Sequence, residues 1–534
     1  MTLLAIIAIL FIGGVLAWLS GRLLGRGSRW ISLFSLLLAT ALLGRYWPDF
    51  TAGADVGSGG ELWWDSLQLT WIPRFGISFF LAVDGLGFLM LALTLLMGLF
   101  GLIMTWRDIR FRRGFFYFNY LWILAGVIGV FTAMDLFLFF FFWEVMLIPM
   151  LFLIAVWGYE QRIYAAIKFF IFTQASSLLM LIAIVGLVYL HYSNSGQLTF
   201  NYRELLSAQI SPTAAYWLML GFFIAFAVKL PALPVHTWLP DAHTQAPTAG
   251  SILLAAILLK TGAYGLLRFT LPLFPEASVA FAPVAMTIGA LSVIYGAVLA
   301  FAQQDMKRLV AYSSVSHMGF VLLGLYALNT IAVQGAIMQM IAHGFSTAAL
   351  FALVGALQQR LHTRDMAQLG GLWASLPKLS AIALFFAVAS LGLPGLGNFI
   401  AEFLVLLGSF DSSRWITVVA AIGLVGAALY ALLMMQRVFF GESRGLNTDA
   451  TAKEPVIDLN PRETVALLSL AVALVFLGLR PQPVFDIAAP SVAGSLARAE
   501  AARTEQGTVK APTSIETATR SGWPKSISTG GESL

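Results

Sequence analysis

Residues 221–268 read GFFIAFAVKLPALPVHTWLPDAHTQAPTAGSILLAAILLKTGAYGLLR. Two apolar runs here are each suited to the interior of a bilayer, and each carries a lysine, Lys229 and Lys260. Between them, Pro231 cannot donate to the carbonyl of Ala227, and Pro234 cannot donate to that of Leu230. The first helix is therefore predicted to break just after Lys229. In lipid, a freed carbonyl survives only where protein buries it or a wet cavity lines it. A charge beside such a break points to function rather than to a simple kink.

Two acids share this predicament. Glu144 lies in FFWEVMLIPM and Glu402 in GLGNFIAEFLVL. A charge at mid-bilayer costs roughly 3 kcal/mol on insertion scales, so such groups are usually buried within the bundle, paired and functional. Two acids and two bases along one chain suggest a route for protons or small cations. Glu402 follows a second interruption, SLGLPGLGNFIAEF, where Gly392, Pro394, Gly395 and Gly397 disrupt an overlong apolar run. Matched interruptions in two halves of a chain mark a transporter's site.

The rest of the chain fits a membrane protein. Of 534 residues, 59% are hydrophobic and 11% charged, against about 25% charged in soluble domains. With about 20 apolar residues per span, the expected fold is all-α and polytopic, with about 14 transmembrane helices. The breaks fall in helices 7 and 12, which suggests two five-helix repeats. The expected organisation is helices 1–3 over residues 1–110, a first repeat over 111–270 and a second over 271–440. Helix 14 follows over 441–482, and then a polar, flexible tail over 483–534. Alternate loops hold 18 Lys and Arg against 5 in the opposite set. The first set is then cytoplasmic and both termini face the other side. The first helix lacks a basic leader and a small-residue cleavage site, and is read as retained. The absence of cysteine excludes disulfides and thiolate-held iron–sulfur clusters within this chain. No glycine fingerprint follows a strand, and no cluster has metal-ligand spacing, so neither a nucleotide, a metal nor a nucleic-acid partner is expected.

The candidate relay reads as follows. Glu144 and Lys229 are expected to pair, directly or through water, because an ammonium keeps a buried carboxylate charged. Lys260 is central in its span, where a desolvated lysine can trade its proton. His317, with Ser313 one turn earlier, and His343 lie on successive spans and titrate nearest physiological pH. His236 and His243 flank the first break at its cytoplasmic end, as an entrance or as loop caps. Asp135 reads as a helix N-cap and Asp84 as an interfacial residue. The aromatic run 137–143, FLFFFFW, reads as lipid-facing packing.

The stretch from Val228 to Arg268 resembles the signature of the antiporter-like subunits of respiratory complex I, whose relatives include multisubunit cation/proton antiporters and membrane-bound hydrogenases. QQDMKRLVAYSSVSHMGF and SLGLPGLGNFIAEF are similar to further blocks of that family, and the resemblance covers roughly residues 80 to 440. Of the three types, L, M and N, the glutamate at 402, the FFFFWEVMLIPMLFLI span and the lack of a long lateral helix resemble M. The resemblance implies that Glu144, Lys229, Lys260 and Glu402 transfer protons and that His317 and His343 lie on the polar axis between them. It also implies partner subunits of L and N type in a bacterial inner membrane, internal waters along the route, and NADH oxidation and quinone reduction elsewhere in the complex. FMN and iron–sulfur clusters would sit in partner subunits and no cofactor in this chain. The alternatives are a subunit of a multisubunit Na⁺/H⁺ antiporter, or a non-transporting scaffold.

Overall fold

The computed structural model describes residues 1–23, 27–47, 63–442 and 456–505. Single turns aside, its helices are α1 (Thr2–Leu23), α2 (Ser28–Leu43), α3 (Gly85–Met104), α4 (Arg113–Thr132), α5 (Leu136–Trp157), α6 (Arg162–Ser195) and α7 (Pro212–Lys229). There follow α8 (Trp238–Gln245), α9 (Thr248–Leu273), α10 (Pro275–Phe301), α11 (Met306–Tyr326) and α12 (Thr330–Leu361). The chain continues through α13 (Pro377–Ser390), α14 (Gly397–Ser412), α15 (Arg414–Val438), α16 (Pro461–Leu479) and α17 (Gln482–Glu505).

Among the described residues, 12 helices are long and apolar enough to cross a membrane. The expected second span falls on α2, with 16 residues, and the twelfth on the pair α13 and α14. The helices form concentric layers. The most apolar windows of α9 and α12 are 100% buried and that of α11 is 94% buried, whereas those of α15 and α16 are only 33% buried. Leu429, Leu432, Val465 and Val472 on the outer helices face outward, as an apolar solvent allows. The three central helices carry Lys260, His317 and His343, so these polar groups are kept from lipid by protein.

Both interruptions are present, and protein groups satisfy the freed backbone at the first. The Ala227 carbonyl accepts from the Ala232 N–H at 2.9 Å. The Val228 carbonyl accepts from the Trp238 indole, also at 2.9 Å. The Leu233 N–H donates to the Ser292 hydroxyl on α10 at 2.9 Å. At the second interruption, α13 ends at Ser390, and Gly392 and Gly395 take φ of +82° and +94°, a region that favours glycine.

One short element joins the helices, and one expectation needs correction. Residues 65–83 form an antiparallel hairpin, β1 (Asp65–Ile72) and β2 (Ile77–Val83), pairing Asp65 with Val83. The fold remains mostly helical with this one hairpin added among the described residues. Much of the polar tail is α17, packed on the bundle. Its buried residues Val484, Ile487, Ala488, Ser491, Val492 and Ser495 recur every three or four positions, the period of one helix face. Alanine and serine on that face lower the hydropathy without spoiling the packing, so the segment looks solvated when only polarity is read. Arg498 and Arg503 tie it to the carbonyls of Leu206 and Ala327. The remaining expected tail, 506–534, lies outside the described residues. Asp84, read as interfacial, is 1% exposed and covered by α17. Asp135 does cap α5, accepting from the N–H groups of Phe137 and Leu138.

The end of the bundle that carries most of the basic residues is cross-linked by ion pairs. Lys168 and Arg308 reach Asp241, Arg364 reaches Asp305, and Arg360 reaches Glu463. Asp108, in the loop after α3 at this end, is left half-served. Burial pushes its carboxyl up to about 6, against weaker opposing contributions from Gln359, Arg462 and Arg360. A raised carboxyl pKa contributes stability that is full below the unfolded value near 4 and lost as pH rises through about 6. Asp108→Asn is therefore expected to melt at a higher temperature than the parent at pH 8. That difference should vanish toward pH 4, as thermal scans of the solubilised protein would show.

Candidate functional site

Lys260 sits at the centre of α9 and is 0% exposed. Two stretches of α9, Leu254–Leu258 and Leu266–Thr270, are π-helical. Such wide turns shift carbonyls away from their usual donors and are frequent at functional sites. The Ala255 carbonyl, in the first of them, accepts from Lys260 Nζ at 2.5 Å. The same Nζ lies 2.7 Å from His343 Nδ1. An ammonium only donates, so in this arrangement Nδ1 accepts and the imidazole proton sits on Nε2, which has no hydrogen-bond partner. Thr347 stands one turn along and also approaches Nδ1, at 3.1 Å.

The His343 ring meets His317 edge-on, with centroids 5.4 Å apart. His317 Nδ1 is 2.8 Å from Glu402 Oε1. Its Nε2 is 3.2 Å from both the Ser390 hydroxyl and the Tyr430 hydroxyl. Ser313 does not touch the imidazole but reaches the same Tyr430 hydroxyl. Gln339 donates to Glu402 Oε1 at 3.1 Å. The other carboxyl oxygen, Oε2, is buried without a partner. Glu402 stands six residues into α14 beside the glycine turn, and a methyl group on Gly392 would lie 3.1 Å from Oε2.

Lys260, His343, His317 and Glu402 therefore form one buried line, linked by contacts except for the edge-on step between the rings. Along α12, Gln339, His343, Thr347 and Phe351 follow at four-residue spacing, so one helix face serves the whole line. His243 stacks on Phe351 at 4.6 Å and 7°. Both its ring nitrogens are buried and unpartnered. His236 packs apart from this line, against Tyr295 and Tyr312.

Glu144 and Lys229 do not form a contact ion pair. Glu144 accepts from Ser177 at 2.5 Å. Lys229 Nζ is buried with no hydrogen-bond partner, held over the rings of Trp143 and Phe169 at 5.4 and 5.5 Å. Glu144 is near enough to act on it electrostatically. The aromatic run is not simply lipid-facing either. Phe139, Phe142 and Trp143 are buried, and only Phe141 in 137–143 is a large exposed side chain. An indole face attracts a desolvated ammonium, which explains how Lys229 is held without a direct anion.

Sequence reasoning missed Ser177, Gln339, Ser390 and Tyr430. Gln339 was legible as the residue one turn before His343. Tyr430 lies in an apolar helix and gives no such signal.

Residues 133–429 match the family described as NADH:quinone oxidoreductase/Mrp antiporter, TM. NADH-quinone oxidoreductase subunit M of Pseudomonas aeruginosa is 55% identical over 496 residues, covering 92% of this chain and 96% of the relative. This chain belongs to the subunit M family of NADH-quinone oxidoreductase. Its Escherichia coli K12 relative in that family is 53% identical over 486 residues, 90% of this chain and 95% of the relative. A chain of respiratory complex I from Thermus thermophilus with bound NADH superimposes with a TM-score of 0.81 at 30% identity, covering 94% of this chain and 99% of that one. A chain of the Mrp complex from Dietzia sp. reaches 0.77 at 21% identity, over 93% and 98%, which shows the shared fold alone. The antiporter-like fold implied by the resemblance is thus that of the subunit M family.

Proposed function

We propose that this chain is a proton-translocating subunit of the membrane arm of NADH:quinone oxidoreductase, driven by redox chemistry elsewhere in that complex. The observation that carries the reading is the buried line from Lys260 through His343 and His317 to Glu402. Each of these groups can both take up and release a proton, and each is shielded from lipid. Lys229 and Glu144 form the other half of the route. Their separation lets the carboxylate tune the lysine's charge without locking it in a hydrogen bond, so a change at one is felt at the other.

The basic loops face the cytoplasm in this reading, and both termini face outward across a bacterial plasma membrane. His243, stacked between the basic end and Lys260, stands where protons enter. Glu402, beside the second interruption, stands where they leave. Two five-helix repeats, helices 4–8 and 9–13 of fourteen, place one interruption on each side of the centre. Antiporter-like subunits of L and N type are the neighbours, and FMN and iron–sulfur clusters belong to other subunits. The Mrp likeness, being one of fold alone, gives the Na⁺/H⁺ antiporter reading no comparable support.

The test uses the assembled complex in inverted membrane vesicles. Glu144→Ala and Lys229→Ala are expected to lower NADH-driven acidification severalfold, while NADH oxidation by an artificial acceptor continues. Loss of both activities with full assembly would refute a purely proton-side role. Undiminished pumping in both variants would remove this half of the route.

A further inference from the structure

We propose that Arg268, held by Asp84, which in turn accepts from Ser491 of α17, is an electrostatic seal that closes the Lys260 helix to protons at the face opposite the basic loops. The inference rests on the reading of Lys260 as a proton carrier.

Lys260, Tyr264 and Arg268 follow at four-residue spacing on α9. They point from the centre of the bundle toward a surface recess of about 330 Å³. Without a barrier, this would be the direct way out for a proton on Lys260. Two features interrupt it. Tyr264 gives its only hydroxyl proton to the Phe131 carbonyl at 2.9 Å, and its oxygen accepts from Arg268 Nε at 3.2 Å. The hydroxyl is therefore committed at both ends. Beyond it stands a guanidinium, which donates but never accepts and does not release its proton. A proton wire needs groups that do both, so the line stops at Arg268.

The recess reinforces the stop. Arg203, Arg268 and Arg498 line it, with Trp63, Tyr202 and Ser491, and no carboxylate is among its described lining residues. Fixed positive charge at a constriction excludes protons and cations. Asp84 lies behind Arg268, not in the recess. It pairs with the Arg268 guanidinium, and also accepts from the Ser491 hydroxyl at 2.6 Å and the Gly87 N–H at 2.9 Å. Trp63 and Tyr264 flank the guanidinium at 5.1 and 5.4 Å. Arg268 is only 5% exposed, and these partners hold its guanidinium at the head of the recess. Closing this path leaves Glu402 as the outlet and obliges protons to pass His343 and His317.

A purely structural ion pair makes a different prediction from a seal. The readout is the decay of an imposed pH gradient in proteoliposomes holding the intact complex, without NADH or quinone turnover. Arg268→Gln is expected to speed the decay severalfold. Asp84→Asn breaks the same pair but keeps the guanidinium, and should decay at the parent rate. Should Arg268→Gln fail to assemble, the double variant Asp84→Asn with Arg268→Gln leaves no lone buried carboxylate and should leak equally. Adding Lys260→Met should restore the parent rate, because the leak runs through the relay. A leak in Asp84→Asn as large as in Arg268→Gln, no leak when Arg268 is lost, or a leak that survives Lys260→Met would overturn the proposal. The readout needs no pumping, so failure of the pumping assignment shows separately in the redox-driven assays.

Discussion

Lys260→Arg is expected to stop redox-linked proton pumping as completely as Lys260→Met. Both should reduce it about a hundredfold or more, the scale on which one positioned proton-transfer group contributes. The two substitutions separate charge from titration. Arginine keeps a positive charge at the centre of α9 but cannot give up a proton at any accessible pH. Lysine can, and here its Nζ is held 2.7 Å from an imidazole nitrogen that can receive one. The site is 0% exposed, so water cannot stand in for the missing carrier from a nearby bulk phase. Acidification of inverted vesicles measures pumping, NADH oxidation by an artificial acceptor measures electron transfer, and the amount of intact complex in the membrane measures assembly. An arginine variant that pumps at half the parent rate or better would show that the charge alone matters, and the role of Lys260 as a carrier would fall.

Much of this site was legible in the sequence because a membrane interior makes charge conspicuous. Lys229, Lys260, Glu144 and Glu402 stand out as the ionisable residues in otherwise apolar runs, and proline and glycine mark where the helices break. The pairing of Lys260 with His343, by contrast, was not legible. It joins two helices through residues 83 apart in the chain, and no local pattern says which helix faces will meet. The direct form of the expected pairing between Glu144 and Lys229 is absent for a related reason. The aromatic faces of Trp143 and Phe169 hold the ammonium without an anion touching it, a contact that a count of charges does not reveal. The reading of residues 483–505 as a tail failed because polarity was weighed and period was not. Val484, Ile487, Ala488 and Ser491 repeat as a helix face, although the segment's mean polarity suggests solvent. The hairpin at 65–83 lies in the connection between the second and third expected spans, for which the sequence reading assigned no element.

The second large effect is expected at Glu402. Its Oε1 receives His317 Nδ1 at 2.8 Å and the Gln339 amide at 3.1 Å, while Oε2 is buried without a partner beside the Gly392 turn. One oxygen is thus committed to the incoming side of the line and the other is free to carry a proton onward. A carboxyl group carries its proton as a neutral species and becomes charged on release, so a change in the nearby field can decide which form prevails. Glutamine keeps the length, the carbonyl acceptor for His317 and the neutral form, but it cannot release a proton. Glu402→Gln should therefore lose pumping nearly as fully as the Lys260 variants while leaving the bundle intact. Glu402→Asp keeps the chemistry but shortens the reach to His317 by one methylene group. It should retain a fraction of the parent rate, provided the His317 contact can be remade across that gap. Comparing the two at equal assembly, with artificial-acceptor activity as the control, decides the matter. A glutamine variant that pumps at the parent rate would take Glu402 out of the route, and with it the outlet that a sealed Lys260 helix requires.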